Sequence, residues 1–329
     1  MPGFITHYIC GEAMLNGLPA GAQNLIQHHR QLYNVGCQGP DIFFYYLPGL
    51  IKKNMKNLGI DMHKTQVGSF ISHVLDGLAE ADEEAQPIIF SYLSGYLSHY
   101  SLDCFTHPYV YYKSGFQIKG DRKSRLRYSV YHRNFETAID VLMLKVMSSE
   151  KPSEKKLWQL IKTDADQARL IARMVSAAIT GAYQRDVSPK EVYSAMRYMV
   201  NVTRILQSKK GRRKRLMELA EELTVGDHLV SCIIHQQEVK DGIDYLNIHK
   251  KPWYMPWDNE NENETTASFG ELYNQAVENG ISLIGQMYAF MQGELSKESL
   301  VQAIGNRSLA SGLEIDEDRE FTVHGNVFA

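Results

Sequence analysis

Residues 85–102 run for 18 positions without a single Asp, Glu, Lys or Arg. A stretch of that length and composition fits either the hydrocarbon of a membrane or the interior of a protein. Pro87, the hydroxyls of Tyr92, Tyr96 and Tyr100, four serines and His99 speak against lipid, where every polar group needs an internal partner. The stretch therefore predicts a long helix buried inside a helical bundle.

Periodicity elsewhere agrees with an all-α fold. Apolar residues recur at helical spacing near 5–16, 19–34, 64–80, 83–112, 125–148, 152–182, 188–206, 210–222, 226–238, 268–291 and 296–304. No run alternates as a strand does, apart from a short candidate at Phe321–Val323 in the tail. Pro19, Pro87, Pro152 and Pro189 lie near proposed helix starts, with Ser153 and Ser188 as caps. Residues 35–62 and 246–267 are irregular and long enough to carry function. We expect one helical metal-binding domain over 1–245, with a C-terminal loop, helices and tail over 246–329 packed on it.

With 44% hydrophobic and 22% charged residues, 329 positions suffice to bury a large core. The net charge of −3 gives no general pull toward nucleic acid or an anionic membrane. Residues 209–215, KKGRRKR, read most simply as a solvated turn with basic residues opening a helix, since nothing aromatic interleaves with them. Cys10, Cys37, Cys104 and Cys232 show no metal-ligand spacing and suit reduced thiols. Residues 1–29 contain no Lys or Arg and lack the form of a signal peptide, which points to the cytoplasm.

The chemistry concentrates on the apolar helix. His99, Asp103 and His107 are four apart and share one face within GYLSHYSLDCFTHP. A buried carboxylate is costly without a partner, and a cation held by imidazole and carboxylate supplies one. The alternative is a polar core network. His132 and Glu136 repeat the spacing in YHRNFETAID. Alone they read equally well as a surface ion pair, but one zinc ion needs more ligands than the first helix can offer. Asp41 follows Gly39 and Pro40, and spacing alone favours a turn-capping Asp over a ligand or base. His7 lies on an apolar helix, and His63 sits just before the helix beginning near Lys64. His73 reads as a core histidine, and His28 and His29 as helix-end cations. His228, His235, His249 and His324 lack a carboxylate companion at helical spacing and read as structural.

MPGFITHY, GPDIFFYY, GYLSHYSLDCFTHP and HRNFE, in that order over roughly residues 1–140, resemble the bacterial zinc-dependent phospholipase C family, and most nearly its shorter intracellular branch. WYMPW and SFGELYNQA are similar to that branch as well. The resemblance implies an all-α, multi-helix bundle of the type shared with fungal single-strand nucleases. It also implies two or three Zn²⁺ ions in a cleft and hydrolysis of phosphate esters. Asp41 then matches a metal-bound general base, and His99 and Asp103 a pair whose Asp bridges two ions. His107 matches the next His of the pattern, and His132 and Glu136 the His-x-x-x-Glu pair on the third ion. His63, chosen over His73 by its position relative to the helix, matches the His after Asp41, and His7 the His of the N-terminal helix. This sequence departs from the secreted members in having no Trp at its start, so the ion bound through His7 is the least supported. The amine of Pro2, after loss of Met1, is a possible substitute. The gap between Asp103 and His107 is shorter than in the secreted enzymes.

The expectation is thus a zinc-dependent phosphoric ester hydrolase acting on a phosphate ester, a phospholipid being one candidate. No stable nucleic-acid binding and no transmembrane segment are expected. The alternatives are a nuclease or small-molecule phosphodiesterase on the same scaffold, or a non-catalytic helical protein with structural zinc. The aromatic runs Phe43, Phe44, Tyr45, Tyr46 and Tyr109, Tyr111, Tyr112 either line the cleft or pack in the core.

Overall fold

The uncharged stretch lies within a helix that runs from Ala85 to Ser114, and nearly every residue from Ile89 onward is buried. Because this helix is apolar on all sides, neighbours must cover it all round. The computed structural model describes residues 3–50, 52–116, 122–207, 212–224, 231–239, 241–258 and 264–328. In chain order its helices are α1 (Phe4–Gly17), α2 (Ala20–His28), α3 (Arg30–Gly36), α4 (Leu58–Lys64), α5 (Val67–Ala79), α6 (Ala85–Ser114) and α7 (Arg122–Ser148). There follow α8 (Leu157–Leu160), α9 (Ala165–Tyr183), α10 (Pro189–Leu206), α11 (Arg212–Thr224), α12 (Phe269–Met291) and α13 (Lys297–Ile304). The fold is all-α, and the only sheet among the described residues is a two-stranded ribbon, β1 (Trp253–Tyr254) against β2 (Glu264–Thr265). No helix among them is long and apolar enough to cross a membrane.

α12 and α3 pack most extensively on α6, with α1, α7 and α5 completing its cover. The α3–α6 crossing is backbone on backbone. A Cβ on Gly36 would lie 2.1 Å from the Tyr92 carbonyl oxygen, and one on Gly95 would lie 2.1 Å from that of Tyr33. Only glycine at both positions permits this approach. It brings the chain leaving α3 at Cys37 directly against His99.

α1 has no cap of its own, since Gly3 offers no side chain. Its free N–H groups are met instead from α7. The buried Asp140 carboxylate accepts from the Ile5 N–H at 3.0 Å, the Thr6 N–H at 2.8 Å and the Thr6 hydroxyl at 2.6 Å. His235 Nε2 lies 2.6 Å from the same group. An anion at a helix N-terminus satisfies both the orphan donors and the dipole. This contact clamps the helix bearing His7 to the helix bearing His132 and Glu136.

Several expected elements differ. The span 19–34 breaks at His29, where φ is −123° and ψ 37°, giving α2 and α3. The span 152–182 begins in earnest only at Ala165, because Asp164, not Ser153, accepts from the Asp166 and Gln167 N–H groups. Pro152 starts no helix. Ser188 does cap α10, with Glu191 completing a capping box. Residues 35–62 are less irregular than expected, holding a 3₁₀ turn, Gly39–Phe43, and α4. In the span 226–238 the described residues show a 3₁₀ turn, Ser231–Ile233, and no α-helix, while 225–230, with His228, lie outside the described residues. Phe321–Val323 is not a strand: the Thr322 and Val323 N–H groups both reach the Pro256 carbonyl.

Replacing Asp140 with Ala would leave buried donors of α1 unpartnered, a loss of about 3 kcal/mol. Urea denaturation should show it as a lower midpoint with an unchanged slope.

Candidate metal centre

Asp103 sits one turn beyond His99 on α6 and is fully buried. Its Oδ2 lies 3.1 Å from His99 Nε2, 3.7 Å from His63 Nε2 and 3.7 Å from His107 Nδ1. Its other oxygen, Oδ1, lies 3.3 Å from His7 Nε2. One carboxylate therefore faces four imidazoles, drawn from α1, α4 and α6. Asp41, in the Gly39–Phe43 turn, adds a second carboxylate, with its Oδ1 3.3 Å from His63 Nε2. Ligand atoms of His7, Asp41 and His99, and those of His63, His99 and Asp103, fall within 4.8 Å of one another.

A second group adjoins the first. His107, His132 and Glu136 also bring ligand atoms within 4.8 Å of one another. The His132 and His107 rings are 5.8 Å apart, and His132 Nε2 is 2.7 Å from Glu136 Oε1. All eight residues singled out from the sequence thus converge on one cleft. His63 belongs to it and ends α4, one residue before its last, rather than preceding a helix. His73 does not belong: it is exposed on α5 beside Gly181 and is no core histidine. His235, with no carboxylate companion at helical spacing, meets Asp140 from 95 residues away, in a contact that supports the fold and lies outside the cage.

The backbone at Asp41 shows why the preceding glycine is needed. Gly39 has φ +48°, and a Cβ there would lie 2.5 Å from His99 Cδ2. The left-handed turn and the absent side chain together bring the Asp41 loop onto the His99 ring.

The atoms that face inward lack hydrogen-bond partners. His7 Nδ1 and Nε2, Asp41 Oδ1, both Asp103 oxygens, His99 Nε2 and His107 Nε2 are all buried and unpartnered. Buried polar groups are normally satisfied, so this many orphans facing one another mark a place where something binds. Four of the Nδ1 atoms are anchored. His63 Nδ1 donates to the Gly59 carbonyl at 2.5 Å, His99 Nδ1 to that of Cys37 at 3.2 Å, and His107 Nδ1 to that of Leu309. His132 Nδ1 lies 3.2 Å from the Ser114 hydroxyl. Anchoring Nδ1 in this way sets the tautomer in which Nε2 is the nitrogen able to take a metal.

The electrostatics suit a cation too. Burial pushes the His7, His107 and His132 imidazoles down, toward the neutral form that binds metal. Burial also opposes ionisation of Asp103, but the facing His107, His99 and His7 outweigh it and hold its carboxyl far below the usual range. Glu136, despite its burial, is held down at about 2, with His132 among the groups that lower it. A set of imidazole nitrogens and carboxylate oxygens, pre-oriented by the fold, fits Zn²⁺.

The sequence could not have revealed the supporting carbonyls. Leu309 belongs to the segment after α13, about 200 residues from His107, and its N–H also donates to the His63 carbonyl at 2.7 Å. Of the aromatic runs, Phe44 stacks on His63 with centroids 5.6 Å apart, and Tyr111 lies 4.6 Å from His132. Phe43, Tyr46, Tyr109 and Tyr112 pack in the core. The amine of Pro2 lies outside the described residues.

Fold and site together define a helical protein with a histidine–carboxylate cage whose groups could hold a metal ion. A family model described as zinc dependent phospholipase C matches residues 6–184, more than half of the chain, and the chain belongs to that family. The match includes every residue of the cage, from His7 to Glu136. No curated protein and no solved structure shows a match.

Removing metal with a chelator should leave the buried cage unpaired and lower the melting temperature. Adding Zn²⁺ at roughly a thousandfold excess over its Kd should restore about 4 kcal/mol. Calorimetry before and after chelation measures both.

Proposed function

We propose that this protein hydrolyses a phosphodiester of the phospholipid class, as a phospholipase C-like enzyme with two or three Zn²⁺ ions. The observation that carries this proposal is the Asp103 carboxylate, with its two oxygens facing different histidines and no partner for either. Asp41, His63, His99 and Asp103 would hold one ion, and His107, His132 and Glu136 a second. A third, shared by His7 and Asp103, has the fewest ligands. When bound, zinc supplies positive charge that neutralises phosphate oxygens and makes water a better nucleophile.

The chain's own residues supply the rest. The water oxygen forms a bond to phosphorus while the bond from phosphorus to the alcohol oxygen breaks in line. Asp41 orients that water and accepts its proton, since its side chain, 10% exposed, borders both the cage and solvent. The departing alcohol oxygen takes a proton from water at the mouth of the cleft. Phe44 packs against His63 of the first group and Tyr111 against His132 of the second.

A closed structural zinc site is the competing possibility. Against it, the His132 and Glu136 side chains are 17% and 12% exposed, so the second group opens to solvent, as catalytic sites do. We also place the protein in the cytoplasm. In support, Cys10, Cys37, Cys104 and Cys232 are all buried and no disulfide forms among the described residues.

A zinc-supplemented assay with a phosphorylcholine ester, bis-p-nitrophenyl phosphate and single-stranded DNA tests the function and separates the substrate classes. One tightly held ion per chain with no turnover of any of the three would overturn it. Asp41→Asn should lower kcat by roughly 10²–10⁴-fold and lower bound zinc less than loss of Asp103 does, because His63, His99 and Asp103 still hold the ion that Asp41 shares. Asp103→Asn should abolish turnover and also lower bound zinc by elemental analysis, which distinguishes the two carboxylates.

A further inference from the structure

Charge on this chain is not spread evenly. Residues 197–217 contain eight Lys or Arg and no Asp or Glu, in a protein whose net charge is −3. This segment spans the end of α10 and the start of α11, with 208–211, and so Lys209 and Lys210 of the basic run, outside the described residues. Basic residues alone fit a solvated turn. What that picture omits is the apolar surface beside them. Ile205 is 64% exposed, Leu216 67% and Leu219 57%. Aliphatic side chains this exposed, gathered on one helix pair, call for a partner.

The pair is built to present them. Arg213 donates to the carbonyls at the C-terminal end of α10, including that of Gln207 at 3.0 Å, and Lys214 Nζ reaches the Ile234 carbonyl at 3.2 Å. These two cations hold the helices in place, leaving Arg204 and Arg215 exposed around the aliphatic residues. Arg204 also lies over the half-buried Trp158 ring, 5.2 Å from its centroid. Glu218 is the described acidic neighbour on this face of α11.

A groove lies between α10 and α11. Leu206 and Ile234 line both this groove and a narrower apolar slot whose other walls include Phe4 and Tyr45. Phe4 opens the helix that carries His7, and Tyr45 lies four residues beyond Asp41.

We propose that the α10–α11 pair is the face with which this protein settles on an anionic lipid surface. Ile205, Leu216 and Leu219 enter the interface, and Arg204 and Arg215 meet lipid phosphates. Exposed aliphatics ringed by cations match a bilayer whose acyl region lies beneath anionic headgroups. They match nucleic acid poorly, because such a complex would leave the aliphatic side chains against phosphates or in water. The inference goes beyond the proposed hydrolysis and does not require it.

The test is sedimentation of the full chain with vesicles of phosphatidylcholine alone or of equimolar phosphatidylcholine and phosphatidylglycerol. The expected result is partitioning onto the mixed vesicles at least roughly tenfold stronger, falling as salt is raised. The Arg204→Ser/Arg215→Ser variant should bind roughly 25-fold more weakly, and the Ile205→Ser/Leu216→Ser variant at least about tenfold more weakly. Both should keep the melting temperature and the hydrolysis of soluble bis-p-nitrophenyl phosphate. The salt titration of the unaltered protein reads the same electrostatic contact without any mutation. Equal binding to both vesicles, or full binding by the variants, overturns the inference. So does binding of single-stranded DNA in place of vesicles. Binding without hydrolysis of any phosphodiester would sink the catalytic proposal and leave this one standing.

Discussion

A carboxylate buried in the middle of an apolar helix is the constraint around which this molecule is arranged. Asp103 has no exposed surface and no hydrogen-bond partner for either oxygen. Left uncompensated, such a group would cost several kcal/mol or take up a proton. The fold answers by placing four imidazoles around it. His99 and His107 come from the same helix, but His7 and His63 must be carried in by α1 and α4. The positions of those two helices are therefore part of the same electrostatic solution.

Two backbone devices make the arrangement possible. Gly36 and Gly95 let α3 touch α6, which delivers Cys37 and the Asp41 turn to His99. Asp140 caps α1 from α7, which ties His7 to the helix of His132 and Glu136. Neither device touches the cage directly. Both set distances within it, since a shift of one helix by an ångström would move a ligand out of reach. The C-terminal segment acts similarly through Leu309, whose carbonyl orients His107 and whose N–H holds the end of α4.

A polar cage within an apolar bundle also divides the surface. The cleft opens where His132, Glu136 and Asp41 reach solvent. Elsewhere, Leu206 and Ile234 line both the slot beside Phe4 and Tyr45 and the groove at the exposed aliphatic face of α10 and α11.

Much of this was legible in the residues. The uncharged run at 85–102 required a buried helix, and the four-residue spacing of His99, Asp103 and His107 required one face, because helical geometry is local. The same holds for His132 and Glu136, and for Gly39, whose φ of +48° the Gly-Pro-Asp pattern foreshadowed. What spacing could not decide was long-range. It could not choose between Asp41 as cap and as ligand, nor pair Asp140 with His235 across 95 residues, nor bring Leu309 to His107. Backbone carbonyls carry no sequence signature, and a carboxylate's partner is set by which helices pack together. The sequence by itself determined which side chains could bind a cation. Only the tertiary structure decided that they share one cleft, because convergence of five separate segments depends on packing and not on any local pattern.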